Sequence, residues 1–220
     1  MFARLRFERA LRALADSEHA CLRSYAAADW PDRDTGVNAA RFLALDFELD
    51  GLRKDSHLLQ AGWLPFEGAT IHLAQSRSID IRSDAQLDDV AVTIHGIGEQ
   101  RAAKGKPIGE VVSRLIEALC GRVLVAHAAG IEHHALTRAS ERVFGVKLPI
   151  RSICTLQLER RLNPNLVGQE AYRLGPTRER YGLPQYRAHD ALTDAIAAAE
   201  LFQAQLSRFG EGTAVGNFEV

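Results

Sequence analysis

Hydrophobic positions recur along the chain with two different periods, and each change of period marks a new element. Residues 2 to 28 carry Phe7, Leu11 and Leu14 at helical spacing, with Arg4, Arg6, Arg9 and Arg12 over the remaining surface, which predicts helix. Asp16 or Ser17 offers the start of a second short helix, and Trp30-Pro31 through Val37 reads as a connecting loop. Phe42-Leu43-Ala44-Leu45-Asp46-Phe47-Glu48, closing on Gly51, begins with four apolar residues and then alternates, as a strand buried in a sheet does. Two further strands are expected at Leu58 to Pro65 and Thr70 to Ser76, with Glu67-Gly68 as the hairpin turn between them. Val92 to Gly98 follows, then a glycine- and lysine-bearing loop from Glu99 to Pro107.

Ile108, Val111, Val112, Leu115, Ile116 and Leu119 form a 3.6-residue stripe, which predicts a helix covering the sheet and ended by Gly121. Val123 to Ala126 reads as a short buried strand, and Ile131 to Phe144 as a helix with Leu136, Ala139 and Val143 inward. Pro149 to Leu158 holds a short strand running into a helix, and residues 160 to 188 read as irregular and rich in arginine. Asp190 to Arg208 is expected to be a helix capped by Asp190. The order implies an α/β fold of three layers, a mixed five-stranded sheet with helices on both faces. We divide the chain into an N-terminal helical extension (1–38), the main domain (39–209) and a flexible C-terminal tail (210–220).

The totals narrow the function classes. At 220 residues, 46% hydrophobic and 25% charged, the chain has the composition of a globular protein large enough for a substantial core. A formal net charge of −1 argues against a broad nucleic-acid-coating surface and leaves room for a local basic groove. Cys21, Cys120 and Cys154 form no Cys-x-x-Cys, which fits a reducing cytosol and no structural zinc. The charged N-terminus lacks the apolar core of a signal peptide and no stretch reaches membrane-spanning length, so a cytoplasmic protein without membrane contact is expected.

The chemistry concentrates at element ends. Asp46 and Glu48, two apart on a strand, project to the same side, where their repulsion and lost hydration are best offset by a divalent cation. Taken alone, an Asp-x-Glu is more often a strand end facing water. Glu132 at the start of one helix and Asp194 in the first turns of another are positioned to face that pair, because sites in α/β sheets gather where strand ends meet helix starts. His189, just ahead of the last helix, is aimed by the turn and can hang over the acids.

Here a resemblance becomes specific. Asp46 through Leu52 resembles the first motif of the DnaQ-like 3′→5′ exonucleases, the DEDD group of the RNase H-like superfamily, which includes polymerase proofreading subunits. Val123-Leu124-Val125-Ala126-His127 through Glu132 resembles the second motif; Tyr181-Gly182-Leu183 with Arg187 through Ala195 resembles the third. A histidine five residues before the aspartate marks the DEDDh subclass, and His95-Gly96-Ile97 matches another frequent feature. The likeness spans about residues 40 to 207, and its first and third motifs are specific only in combination.

The resemblance implies an RNase H-like fold and two divalent cations, Mg²⁺ or Mn²⁺, ~3.5–4 Å apart, that clamp the attacking water and the departing 3′ oxygen. It implies Asp46 as ligand to both, Glu48 and Asp194 to one, Glu132 to the other, and His189 as general base, since imidazole accepts protons near neutral pH. Leu49, Asp50, Gly51 and Leu52 would hold the terminal nucleotide of single-stranded DNA or RNA, His95 would lie near the channel, and Arg187 is a candidate phosphate contact. Nucleoside 5′-monophosphates would be the products.

The chain also departs from the family pattern. Ala128 stands where asparagine is usual, Ile131 and Glu132 replace a Phe-Asp pair, Leu49 replaces a threonine, and Cys154 replaces an aspartate. Glutamate adds a methylene, and a displacement of about an ångström can cost ~10²-fold in rate. Two rival readings follow: a binding module that has lost turnover, and an interaction protein that joins a polymerase or another subunit through the arginine-bearing N-terminal helices. Homodimerisation is a further expectation from stand-alone relatives. His127 reads as a hydrogen-bonded core histidine, and His133 and His134 as surface residues.

Overall fold

A computed structural model describes residues 2–51, 53, 56–84, 87–210 and 212–220, with side chains from residue 5 onward. Its centre is β1 (Arg41–Leu49), paired antiparallel along its length with β2 (Leu58–Glu67). The far edge of β2 carries β3 (Thr70–Ile71) at Phe66–Glu67 and β4 (Arg77–Asp80) at Gln60–Trp63. On the other side β5 (Val123–Ala126) runs parallel to β1, and β6 (Ser152–Cys154) parallel to β5.

The sheet is mixed, as expected, but has six strands among the described residues rather than five. The strand predicted over Thr70–Ser76 breaks into a 3₁₀ turn at Leu73–Gln75 and resumes pairing at Arg77. Pro65 accounts for the break. Its carbonyl accepts the His72 N–H at 3.1 Å, so this is the edge its missing N–H would have served, and the return bond of the ladder cannot be donated there.

The helices are α1 (Phe2–Leu14), α2 (Ala20–Ala27), α3 (Asp89–His95), α4 (Glu99–Ala103), α5 (Ile108–Leu119), α6 (Gly130–Phe144), α7 (Thr155–Leu162), α8 (Leu174–Arg180) and α9 (Ala191–Leu206). Leu43, Leu45 and Phe47 of β1 pack with α2, α5 and α6 on one face, and Phe42 and Ala44 pack with α7 and α9 on the other. That alternation produces the three layers. The loop expected over Glu99–Pro107 contains α4, and the irregular 160–188 stretch contains α8.

Both chain ends are built into this core. Leu22 and Tyr25 of α2 are fully buried, and the Tyr25 hydroxyl donates to the Pro149 carbonyl at 2.6 Å. Residues 212–220, expected to be a flexible tail, instead pack. Val215 and Phe218 are buried against the α9 face, the Val220 N–H donates to Ser152 O at 3.0 Å, and Arg151 pairs with the buried Glu219. The two buried apolar residues and the Arg151 pairing supply what the polar composition of the tail concealed.

Candidate functional site

The site begins in the pleat of β1. Asp46 and Glu48 continue the row of Phe42 and Ala44, the row that faces α9. Directly across on β2 stand Gly62, opposite Asp46, and Gln60, opposite Glu48. α9 starts in the space Gly62 leaves: a Cβ there would lie 2.1 Å from the Leu192 amide nitrogen. Gln60 Oε1 accepts the Ala191 N–H at 3.0 Å. These two residues seat the first turn of α9 over the end of β1, and Asp194 arrives beside the strand acids. One oxygen from each of Asp46, Glu48 and Asp194 lies within 4.8 Å of the other two.

Carboxylates this close, and this far from water, resist ionisation. Burial first, and then the charges of Glu132, Asp194, Glu48 and Asp190, raise the Asp46 carboxyl well above its ordinary value. Burial, with Asp194 and Asp190, pushes Glu48 up to about 7, and burial pushes Glu132 up to about 8. Asp194 is raised by burial even though hydrogen bonds from Tyr186 and His189 oppose the shift. Glu132 lines the same cleft of about 420 Å³, and its Oε2 is buried with no hydrogen-bond partner. An unpartnered buried oxygen beside three repelling carboxylates is a donor set for a hard divalent cation, so the residues fit the metal.

Asp194 is held from two sides. Its Oδ1 accepts the Tyr186 hydroxyl at 2.8 Å and its Oδ2 accepts the His189 amide at 2.7 Å. Tyr186 rests over the guanidinium of Arg178, 5.0 Å from the ring centroid, and Arg178 is itself buried and paired with Glu200 at 2.7 Å. Tyr186 escaped the sequence reading. An aromatic residue three positions before His189 was the available signal, but only the folded turn aims it at Asp194.

His189 lines the cleft with an exposed side chain, in the left-handed backbone region at φ 67°. Ala128, between β5 and α6, is the other non-glycine residue there among those described, at φ 65°. Alanine at such a position costs roughly 1–2 kcal/mol, which asparagine partly avoids, and this gives the departure at residue 128 a physical meaning. Ala128→Asn is expected to stabilise the protein by about 1 kcal/mol, raising Tm by ~2–4 °C in thermal denaturation. An unchanged or lower Tm would show that the turn is not under strain.

The remaining expected residues divide. Leu49, Gly51 and His95 line the cleft. His95 Nδ1 accepts the Ile97 N–H at 3.1 Å, and burial lowers its pKa. Asp50, expected to help hold the terminal nucleotide, is 1% exposed and is not among the residues lining the cleft. Its Oδ1 accepts the His57 N–H at 2.7 Å, so it pins the β1–β2 loop. Leu52 lies outside the described residues. Arg187 is exposed and is not among the residues lining the cleft, while Arg178 and Arg180 are engaged with Glu200 and Glu159. His127, expected as a hydrogen-bonded core histidine, is half-buried and lines the cleft. It meets Thr155 Oγ1 and Tyr172 O, each at 2.9 Å, and burial lowers its pKa to about 4. Cys154 caps α7, accepting the Gln157 N–H at 3.5 Å.

A family model described as Exonuclease (RNase_T) matches residues 43–202. DNA polymerase III PolC-type from Thermotoga maritima is 26% identical over 170 residues, covering 77% of this chain and 12% of that protein. DNA polymerase III subunit epsilon from Aquifex aeolicus is 30% identical over 99 residues, covering 44% of this chain and 48% of that one. The chain therefore spans only a small part of the PolC-type relatives. Two solved structures share its fold. The zinc-bound E. coli ExoI–ssDNA complex has a TM-score of 0.66 at 16% identity, covering 77% of this chain and 41% of that one. The nuclease domain of 3′hExo, a DEDDh family member bound to rAMP, has a TM-score of 0.64 at 15% identity, covering 77% and 93%.

Proposed function

The chain belongs to the exonuclease family whose model it matches over residues 43–202, and from that membership we propose a metal-dependent 3′→5′ exonuclease. Its substrates are single-stranded DNA, RNA or short oligonucleotides, and its products nucleoside 5′-monophosphates. The observation that carries this reading is the convergence of Asp46, Glu48 and Asp194 within 4.8 Å, on a cleft shared with the unpartnered oxygen of Glu132. Two divalent cations, Mg²⁺ or Mn²⁺, would be held by Asp46 in common, by Glu48 and Asp194 on one side and by Glu132 on the other. When bound, they supply positive charge at the scissile phosphate and lower the pKa of water.

The protein's own groups do the rest. His189, on the exposed side of the cleft, accepts the proton of the attacking water. Tyr186 and the His189 amide fix the Asp194 carboxylate, so a ligand on the first turn of a helix keeps its orientation. Leu49, Ile94 and Ile131 give the cleft apolar walls suited to an unstacked terminal base, which favours a single strand over a duplex. The free cysteines suit a reducing compartment, and a cytoplasmic location belongs to the proposal. Any polymerase or other subunit would meet the exposed arginines Arg6, Arg9 and Arg12 of α1 and Arg23 of α2, because the apolar faces of both helices are buried in the core.

A 5′-labelled single strand incubated with Mg²⁺ or Mn²⁺ is expected to shorten one nucleotide at a time, and EDTA to stop it. Internal cuts, or release of the 5′ label as a mononucleotide at the earliest times, would sink the assignment.

A further inference from the structure

The cleft does not end at the acids. Leu49, Gly51 and Ile131 also wall an adjoining groove of about 470 Å³, which shares Ala135 and Arg138 with a third hollow of about 380 Å³. One stripe of α6 floors the whole run: Ile131, Ala135, Arg138 and Arg142 recur at helical spacing. At ~1.5 Å per residue, the stripe from Ile131 to Arg142 is about 16 Å long.

The far hollow has the chemistry of an anion site. Arg82 and Arg142 are exposed there and make no side-chain hydrogen bond or ion pair among the described residues, and Arg138 donates to the Ser56 carbonyl at 3.0 Å. Asp84 is the carboxylate in the wall, outnumbered by three guanidinium groups. Ile108, the first residue of the 12-residue helix α5, lies in the wall, and its cap residue Pro107 makes no side-chain bond to the first amides. Such a helix start favours negative charge. Independently, Ser56 is a wall residue that is 2% exposed, and its Oγ is buried without a hydrogen-bond partner. A hydroxyl without a partner, a helix start and three cations around one hollow share a single complement, a phosphate group.

We infer that this hollow binds backbone phosphates of the strand whose 3′ end occupies the acidic cleft, several nucleotides upstream of the scissile bond. The inference rests on the exonuclease reading and adds a substrate class to it: strands long enough to bridge the two. At the ~3.4 Å axial rise per charge of a stacked strand, the length of the α6 stripe matches roughly four or five nucleotides. A trinucleotide is too short to use the far hollow, and a decanucleotide is long enough.

The test is Arg82→Gln/Arg142→Gln in the full chain, with fluorescein-labelled dT3 and dT10 binding read by anisotropy in EDTA, where no cleavage intrudes. Wild type is expected to bind dT10 more tightly than dT3. The double variant is expected to lose roughly 10-fold on dT10 and nothing on dT3, with the log–log salt slope for dT10 shallower by about 1.4, at ~0.7 per phosphate contact. Equal losses at both lengths, or no loss on dT10, overturn the inference. So does low-millimolar inorganic phosphate that displaces dT10 from wild type and not from the variant while wild type binds dT3 as tightly as dT10, which assigns a free anion instead. The reading of the acidic cleft fails separately: it falls if wild type shortens no strand in Mg²⁺ or Mn²⁺, whatever the anisotropy shows.

Discussion

Asp46→Asn will remove strand shortening, by on the order of 10³–10⁵-fold, while making the metal-free protein more stable. The two effects have one cause. Asp46 is the residue on which the charges of Glu132, Asp194, Glu48 and Asp190 converge, and burial already opposes its ionisation. On the proposed reading its carboxylate would be the ligand common to both cations, so an amide in its place would forfeit several kcal/mol of electrostatic stabilisation at ~1.4 kcal/mol per decade of rate. In the metal-free protein the same amide relieves the repulsion and fills the same volume. It should raise stability at pH 8 by about 1–2 kcal/mol, or Tm by on the order of 2–8 °C. Asparagine is preferable to alanine, which would add a cavity to the account. Single-turnover assays and thermal denaturation in EDTA read the two halves. A variant that loses activity and stability together would mean that Asp46 is structural, and one that keeps activity would remove the cluster from the reaction.

How much of this was legible in the chain depends on the range of the interaction. The alternation Phe42 to Glu48 contained the decisive fact, because a period of two puts Asp46 and Glu48 on one face whatever the rest of the protein does. The helices α5, α6 and α9 were equally plain, since their stripes are local. What seats α9 on the site was not legible. Gly62 and Gln60 act through contacts with Ala191 and Leu192, about 130 positions away, and neither residue looks special among its neighbours. Asp50 misled for a related reason: its sequence neighbours line the cleft, but the register shift between Glu48 and Leu49 turns it down onto the loop. The basic hollow was invisible because Arg138 and Arg142 share a face of α6, but Arg82, more than fifty positions earlier, joins them only in the fold.

The dependence of stability on pH and cations tests the acidic cluster most directly. Glu48 titrates near 7 and Glu132 near 8 in the folded chain, with Asp46 and Asp194 also raised, against ~4 for the unfolded groups. A carboxyl whose folded pKa exceeds its unfolded value contributes stability that is present at acid pH and lost as pH rises through the folded value. His127 offsets this in part. Its pKa is lowered to about 4, so its contribution is present above the unfolded value of ~6.5 and is lost as pH falls toward 4. Four raised carboxyls outweigh one lowered imidazole, so metal-free protein should lose stability as pH rises from about 4, with Tm falling by on the order of 5–10 °C between pH 6 and 8, at ~2–4 °C per kcal/mol. A divalent cation binds the ionised cluster and reverses this. At a hundred times its Kd, Mn²⁺ should return ~2.7 kcal/mol at pH 8 and much less at pH 6, where protons compete for the same oxygens. Differential scanning fluorimetry across that range, with EDTA or Mn²⁺, measures both arms. A Tm in EDTA that stays level from pH 6 to 8.5, or a Mn²⁺ shift that is as large at pH 6 as at pH 8, would show that the acids do not repel one another and that no cation is needed to join them.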